Sequence, residues 1–232
     1  MEYIKEYIPG YLQGITRVLI SYPFDYIRIF LQVNNKDNIK QIIKTNNLYK
    51  GVSIPLLIVP IDRAISFKLY ETLKSKKFNN IECALYPSIL SSMYMTPINN
   101  INYNYIYYKK NIYLTIKNSI SHNIYRGNVV ELTRNISSSS LFLFNYNYIS
   151  SISNNSFVNG IFASSMMWVV VYPLDTIKTK KFIENKRYID IFKTTKILDY
   201  YRGINVVFLK TIPSAGIGMF VYETSKKYIN IK

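Results

Sequence analysis

The chain has 232 residues, of which 49% are hydrophobic and 16% aromatic, and its 29 Lys and Arg against 13 Asp and Glu give a formal net charge of +16. This apolar content excludes a disordered basic tail, and the charge favours an anionic partner such as a nucleic acid, a lipid surface or a small anionic solute. The only histidine, His122, and the only cysteine, Cys83, exclude an internal disulfide and a zinc site made from these residue types. No stretch of about 20 purely apolar residues occurs, so a membrane helix here must face lipid on one side and a polar cavity on the other.

The first predicted unit spans residues 1–78 and begins with two small residues, Gly10 and Gly14, four positions apart. This spacing places both on one helix face, where a neighbouring helix can approach closely. Pro23 follows in "SYPFDYIR", with an acid and a base two and five residues later, and a "YKG" triplet ends at Gly51. The order predicts a long helix kinked at its proline, a basic linking segment and a second long helix.

The second unit, 79–154, has the same layout but lacks the acid and the base that follow the proline. Ala84 and Ser88 occupy the small positions, Pro97 lies in "MTPINNIN", and "YRG" ends at Gly127. The positions of the acid and the base after the proline are held by two neutral residues, Asn99 and Asn102. We therefore interpret this unit as a degenerate copy of the first.

The third unit, 155–232, repeats the layout with its charges intact. Gly160 and Ser164 precede Pro173 in "VYPLDTIK", and a third triplet, "YRG", ends at residue 203. The triplet glycines are 76 residues apart, and a tyrosine stands 19 residues after each of them, at Tyr70, Tyr146 and Tyr222. Features aligned in three copies indicate a tandem triplicate. The sequence thus predicts six long helices with pseudo-threefold symmetry.

The pattern P-x-[DE]-x-x-[KR], repeated and followed by an aromatic-basic-Gly triplet, resembles the signature of the mitochondrial carrier family over essentially the whole chain. "YPLDTIKTK" matches the signature in full, and "YPFDYIRIFLQ" matches its first half and the glutamine that follows. "LYETLK" and "VYETSK" are similar to the family's second signature. The resemblance implies an all-α membrane protein with six transmembrane helices around a central cavity. It also implies transport of a small solute by alternating access, with no enzymatic activity and no cofactor.

In the family, the acid and base of each odd-numbered helix pair with those of the next repeat and close the matrix end of the cavity. The resemblance implies that Asp175 pairs with Arg28 and that Gln32 braces this gate, whereas Asp25 and Lys178 face the neutral Asn102 and Asn99. A cytoplasmic gate is expected at Tyr70, Glu71, Lys74, Asn147, Tyr222, Glu223 and Lys226, with an ion pair between Glu223 and Lys74. Each gate is thus expected to keep one ionic link, between repeats 3 and 1.

Substrate contacts of the family lie on the even-numbered helices, seven residues after each triplet glycine, which here gives Ile58, Arg134 and Lys210. Asn135 follows the arginine, and Asp62 lies one turn beyond Ile58 on the same face. The two cations favour an anionic carboxylate, either a dicarboxylate or an oxocarboxylate. Asp62 favours a zwitterionic solute instead, and a nucleotide-like metabolite is a further alternative.

The linking segments 34–50, 104–126 and 180–202 hold about twice as many Lys and Arg as the segments on the opposite side. This asymmetry predicts that the linkers lie in the negatively charged compartment. The family resemblance implies that this compartment is the mitochondrial matrix, for a protein of the mitochondrial inner membrane whose termini face the intermembrane space. We expect a monomer that binds anionic phospholipid at the matrix side. The stretch "INYNYIYYKKNIYLTIK", 101–117, is interpreted as an interfacial helix, and nucleic-acid binding is its alternative. A carrier-shaped adaptor that does not transport is another.

Overall fold

The computed structural model describes residues 8–34, 38–152 and 155–230, and in these ranges it is all-helical, without a strand. Within these ranges, six long and three short α-helices follow one another as long, short, long in each predicted unit, which is the order that the sequence predicts. The long helices are α1 (Ile8–Val33), α3 (Ser53–Ser75), α4 (Asn80–Tyr108), α6 (Asn128–Ser150), α7 (Ser156–Glu184) and α9 (Ile204–Asn230). The linking segments hold α2 (Ile39–Thr45), α5 (Ile112–Ser121), α8 (Tyr188–Thr194) and a 3-10 helix (Ile197–Tyr201).

The long helices form a closed ring. Each packs against the next in the order α1, α3, α4, α6, α7 and α9, and α9 packs back against α1. Helices joined in this cyclic order enclose a common interior, which the charged side chains described below occupy.

The three triplet glycines adopt one conformation, directly before α3, α6 and α9. Gly51, Gly127 and Gly203 have φ angles of +85°, +86° and +89°, which side chains other than glycine rarely adopt. A Cβ atom would also lie 2.9 Å from the Tyr22 hydroxyl at Gly51 and 3.0 Å from the Tyr172 hydroxyl at Gly203. The triplet glycine is therefore required twice over, by its dihedral angle and by its packing.

Tyr22 and Tyr172 also connect α1 and α7 to the triplets that follow them. Tyr22, which precedes the α1 proline, donates a hydrogen bond to the Lys50 carbonyl at 2.6 Å, and Tyr172 donates to the Arg202 carbonyl at 2.8 Å. The middle unit has Thr96 at this position, and its hydroxyl lies 3.0 Å from the side-chain oxygen of Asn128. The first and third units thus share a contact that the middle one replaces.

The small residues of α1, α4 and α7 differ in their surroundings. A Cβ atom on Gly14 would come within 2.5 Å of the Pro60 Cα, so α1 and α3 approach closely there, as predicted. Ser88 of α4 shares a 2.6 Å hydrogen bond with Ser139 of α6. The prediction is wrong for Gly160, because a Cβ atom there would meet nothing within 4 Å. The three prolines predicted to kink the helices lie inside α1, α4 and α7, which continue past them (Pro23, Pro97 and Pro173).

The outer surface of the ring is apolar. Large hydrophobic side chains on the long helices are more than half exposed, among them Leu57, Met93, Phe144, Val170 and Leu209. Exposed apolar surface of this extent is typical of proteins that contact lipid or a partner. Within the described part of the chain, one helix, Val158–Glu184, is long and apolar enough to cross a membrane by length and composition alone.

The tyrosine-rich stretch 101–117 does not form one interfacial helix. Its first part, through Tyr108, completes α4, and a new helix begins at Ile112. Tyr103 is buried, Tyr107 donates a hydrogen bond to the side chain of Asn34, and Tyr108 donates to the Ile183 carbonyl. The composition of this stretch suggested a surface segment, but α4 continues through its first part. The tyrosines there connect the end of α4 to the ends of neighbouring helices.

Candidate functional site: a buried network of charges

Arg28 of α1 and Asp175 of α7 form the ion pair that the family resemblance implies. Arg28 Nη1 lies 2.8 Å from Asp175 Oδ2, and the two side chains are 6% and 0% exposed. Both follow a helix proline, by five and by two residues, so corresponding turns of α1 and α7 face each other across the interior. An ion pair so completely removed from water is stable only while both partners are present.

Gln32, predicted to brace this gate, contacts the acidic partner. Its Nε2 donates to Asp175 Oδ2 at 2.9 Å, and its Oε1 accepts a 2.7 Å hydrogen bond from the hydroxyl of Thr179. Gln32 and Thr179 are both buried. The amide therefore holds the carboxylate of Asp175 in place from the side of the linking segments.

Lys178 has an ionic partner that the sequence did not suggest. Its Nζ lies 2.9 Å from Oε2 of Glu131 on α6, and both side chains are almost completely buried. Asn99, at the position of the missing acid, donates to Glu131 Oε1 at 3.1 Å. The expectation of a single ionic link at this gate is therefore wrong, because Glu131 on α6 supplies a second one.

Asp25 also finds cations instead of the neutral Asn102. Lys210 Nζ of α9 lies 2.5 Å from Asp25 Oδ1, and Arg28 Nη2 lies 3.5 Å from the same oxygen. Asn102 is buried, and its Oδ1 has no hydrogen-bond partner in the part of the chain that the structure describes. Between α1 and α4 there is instead a hydrogen bond from Arg28 to the hydroxyl of Tyr103, at 3.2 Å.

Arg134, predicted to bind substrate, is attached to the same network. Its Nε lies 3.3 Å from Asp175 Oδ1, without the alignment of a hydrogen bond, and its Nη1 donates to Asn135 Oδ1 at 2.7 Å. The Arg134 side chain is 20% exposed, so one part of it reaches solvent while another contacts a fully buried acid. Both predicted substrate cations, Arg134 and Lys210, thus rest on carboxylates of the network.

Trp168 of α7 packs beside these cations. Its ring centroid lies 5.9 Å from Arg28 Cζ, 5.7 Å from Arg134 Cζ and 5.5 Å from Lys210 Nζ. An aromatic face attracts a cation over such distances. The sequence offered no signal for this role, because Trp168 lies in an apolar run, before the signature begins.

The other predicted substrate residues lie on α3. Asp62 is buried, and its Oδ1 accepts hydrogen bonds from Ser91 at 2.6 Å and Tyr94 at 2.7 Å, both on α4. Ile58, one turn earlier, is half-buried. The structure therefore shows the Asp62 carboxylate bound between α3 and α4, and it does not bring this group to the Arg28–Asp175 pair.

At the opposite end of the ring, Glu71, Lys74 and Asn147 are exposed, and Lys74 Nζ lies 5.9 Å from the ring centroid of Tyr70. The side chains of Tyr222, Glu223 and Lys226 lie outside what the structure describes, so the predicted Glu223–Lys74 pair remains a prediction.

The chain is similar to proteins of one known family. The model of the family described as mitochondrial carrier protein matches residues 1–80 and 153–232. The chain belongs to the mitochondrial carrier family. The two matched segments correspond to the predicted first and third units and leave out most of the predicted middle unit, whose acid and base positions hold Asn99 and Asn102.

Several curated carriers are similar to the chain at low identity. It is 25% identical over 92% of its length to the mitochondrial carnitine carrier of Saccharomyces cerevisiae, and the alignment covers 84% of that protein. It is 23% identical to the mitochondrial arginine transporter of Arabidopsis thaliana, over 76% of the chain and 72% of the relative. It is 24% identical to a mitochondrial nicotinamide adenine dinucleotide transporter of Homo sapiens, over 97% and 90%. Membership of the carrier family makes solute transport in the mitochondrial inner membrane the function class.

Proposed function

We propose that this carrier exchanges small carboxylates, dicarboxylates or oxocarboxylates, across the mitochondrial inner membrane by alternating access. The observation that supports this proposal is the state of its two substrate cations. Arg134 contacts the carboxylate of Asp175, and Lys210 contacts the carboxylate of Asp25. Groups that bind a protein carboxylate can bind a solute carboxylate in its place, and a guanidinium suits the two oxygens of such a group.

The electrostatics of the interior favour an anion as well. Arg17 of α1 is exposed to solvent although protein surrounds it, as expected of a side chain in an open cavity. Its strongest electrostatic neighbour is another cation, Arg63 of α3; Arg134 adds to this repulsion, and Asp25 offsets part of it. Cations that repel one another in a partly desolvated space attract an anion between them.

The proposed mechanism is an exchange of carboxylates. A solute that enters from the side of Glu71 and Lys74 first meets the partly exposed Arg134 and Lys210. As its carboxylates take over these cations, the network acids Asp175 and Asp25 each lose one partner. The closed network is then less stable, and the opposite side can open. A solute shifts this equilibrium only as far as it binds the two states differently.

In this proposal, all six long helices span the membrane with pseudo-threefold symmetry. The closed ring, its apolar outer surface and the shared conformation of the three triplet glycines support it. The excess of Lys and Arg in the linking segments favours linkers in the matrix and termini in the intermembrane space. Protease added to mitoplasts should then cleave the termini and spare the linkers α2, α5 and α8. Cleavage of the linkers with intact termini would reverse the orientation.

Transport by purified protein in liposomes tests the substrate class. We expect exchange of radiolabelled 2-oxoglutarate, and we expect Arg134→Ala and Lys210→Ala each to reduce it more than tenfold. The matched control is Lys117→Ala, which removes an exposed cation of α5 and should exchange at the wild-type rate. Uptake of a cationic solute that neither cavity substitution affects would contradict the proposal. A wild-type protein that exchanges no solute would favour a carrier-shaped adaptor.

A zwitterionic solute is the second candidate, because relatives are named for arginine, carnitine and glutamate or glycine. Each of these compounds has a carboxylate and a nitrogen group. Asp62 is buried and makes no salt bridge within the described residues, so it is the acid available to such a nitrogen. If the solute is zwitterionic, Asp62→Asn should abolish amino-acid exchange. If it is a dicarboxylate, the same substitution should leave exchange within about twofold of wild type.

A further inference from the structure

We infer that Glu131 is the acid of the middle repeat in the ionic gate and replaces the charge that is missing at Asn99. This inference rests on the proposed function, because it assigns a part to Glu131 in the same gate. Its starting point is a mismatch: the middle repeat lacks the acid of the signature, yet Lys178, the partner of that acid, is retained and buried.

The geometry shows where the missing charge now lies. The Glu131 carboxylate lies between the two positions that the signature would join, with one oxygen 2.9 Å from Lys178 Nζ and the other 3.1 Å from Asn99 Nδ2. Asn99 has therefore not left an empty position, since its amide holds the replacing carboxylate. An asparagine can do this and an aspartate could not, because only the amide donates a hydrogen bond to a carboxylate.

The surroundings of Lys178 explain why a replacement is required. Besides Glu131, its ammonium faces two aromatic rings, Tyr103 at 5.3 Å and Phe182 at 5.8 Å. Asp175 also acts on it, but the oxygens of that carboxylate contact Arg28 and Arg134. A buried ammonium without its own carboxylate is strongly destabilising, so removing Glu131 leaves a charge that no neighbour neutralises.

Lys210 makes the corresponding replacement on the basic side. The signature expects a base at the position of Asn102 to pair with Asp25. In the structure Lys210 pairs with Asp25 instead, with its Nζ 2.5 Å from Asp25 Oδ1. Both charges missing from α4 are thus supplied by helices that follow a triplet glycine, Glu131 by α6 and Lys210 by α9. Placing a gate charge on α6 couples the gate to the solute, because Glu131 lies three residues before Arg134 on the same face. A solute that displaces Arg134 therefore acts on the helix that holds the gate closed.

Relocating the charge tests this inference. Glu131→Gln should lower the melting temperature of the purified, solute-free carrier by roughly 6–20 °C. Glu131→Gln combined with Asn99→Asp returns the acid to the signature position and should recover at least half of that loss. Asn99→Asp alone should not stabilise, because it sets two acids against one lysine. The matched control is Glu184→Gln, which breaks a more exposed ion pair with Lys186 and should shift the melting temperature by less than about 3 °C.

A further measurement separates a gate from a merely structural contact. It compares uptake of labelled 2-oxoglutarate into empty liposomes with its exchange in preloaded ones. A weakened gate should raise this ratio severalfold in Glu131→Gln, and the relocated acid should lower it again. If Glu131→Gln does not fold, Glu131→Gln combined with Lys178→Met removes both charges and should fold with a melting temperature near that of wild type.

The outcomes distinguish this inference from the proposed function. Recovery of stability by the relocated acid supports the inference even if the wild-type protein exchanges no carboxylate, in which case only the proposed function fails. If exchange is measured but the relocated acid recovers neither stability nor the uptake ratio, Glu131 is not the gate acid and the proposed function is unaffected. An unchanged melting temperature in Glu131→Gln would also overturn the inference.

Discussion

Neutralising Asp175 tests how much its buried negative charge contributes to the stability of the carrier. Asp175→Asn keeps the size of the side chain and an oxygen that can accept the hydrogen bond of Gln32, so the substitution removes little besides the charge. That charge is opposed by two guanidinium groups, Arg28 at 2.8 Å and Arg134 at 3.3 Å. We expect the substitution to destabilise the carrier and to release Arg134 from the network.

The magnitude follows from burial. Asp175 is 0% exposed and Arg28 is 6% exposed, so the loss of one partner leaves an uncompensated charge away from water. Breaking such a buried pair costs about 3–5 kcal/mol. A domain of this length loses about 2–4 °C of melting temperature per kcal/mol, which predicts a fall of roughly 6–20 °C. The matched control, Asp190→Asn, breaks a solvent-exposed pair with Arg187 and should leave the melting temperature unchanged within error.

The assay can use the carrier's only cysteine. Cys83 is completely buried, so a thiol-reactive fluorogenic dye reports its exposure as the purified protein unfolds. Wild type, Asp175→Asn and Asp190→Asn are heated in the same detergent without solute. Equal melting temperatures for the two variants would refute the reasoning, because the buried pair would then contribute no more than the exposed one.

Two other substitutions have matched controls. Gly14→Ala should lower the melting temperature by several degrees, because its Cβ would come within 2.5 Å of the Pro60 Cα, whereas Gly160→Ala, with open space around it, should be neutral or slightly stabilising. Gln32→Ala removes the hydrogen bond that orients the buried carboxylate and should cost about 1–3 kcal/mol, while Gln41→Ala on the exposed face of α2 should cost nothing measurable. Both pairs are read from thermal unfolding curves, and a reversed order within either pair would contradict the packing described above.

The repeat pattern predicted the parts of the fold that recur in each unit. The long helices and the triplet glycines occupy corresponding positions in the repeats, so alignment of the repeats was enough to find them, whereas the Arg28–Asp175 contact was expected from the resemblance to the carrier family. Glu131 has no such counterpart, because Pro55 and Val207 stand at the same distance from the other two triplet glycines. Its role arises from the loss of an acid on a neighbouring helix, and a repeat pattern contains no record of such a compensation.

Gly160 shows the opposite limit. Its spacing from Ser164 matches that of the glycines in the first repeat, yet its surroundings are open, because what lies against a helix face depends on the neighbouring helix. Asp62 is a further case. Sequence spacing placed it near Ile58 on one helix face, but its hydrogen bonds to Ser91 and Tyr94 depend on how α4 packs against α3.

The position of Trp168 gives this carrier an optical label of its own. It is the only tryptophan in the chain, so the tryptophan emission of the protein arises from one ring. That ring lies within 6 Å of three cationic groups, two of which, on Arg134 and Lys210, are proposed to bind the solute. Indole emission responds to nearby charge and to water, so titration of the unmodified protein can be followed by fluorescence, without an attached dye. Occupancy of the cavity and the kinetics of its filling then become measurable in detergent, without reconstitution into liposomes.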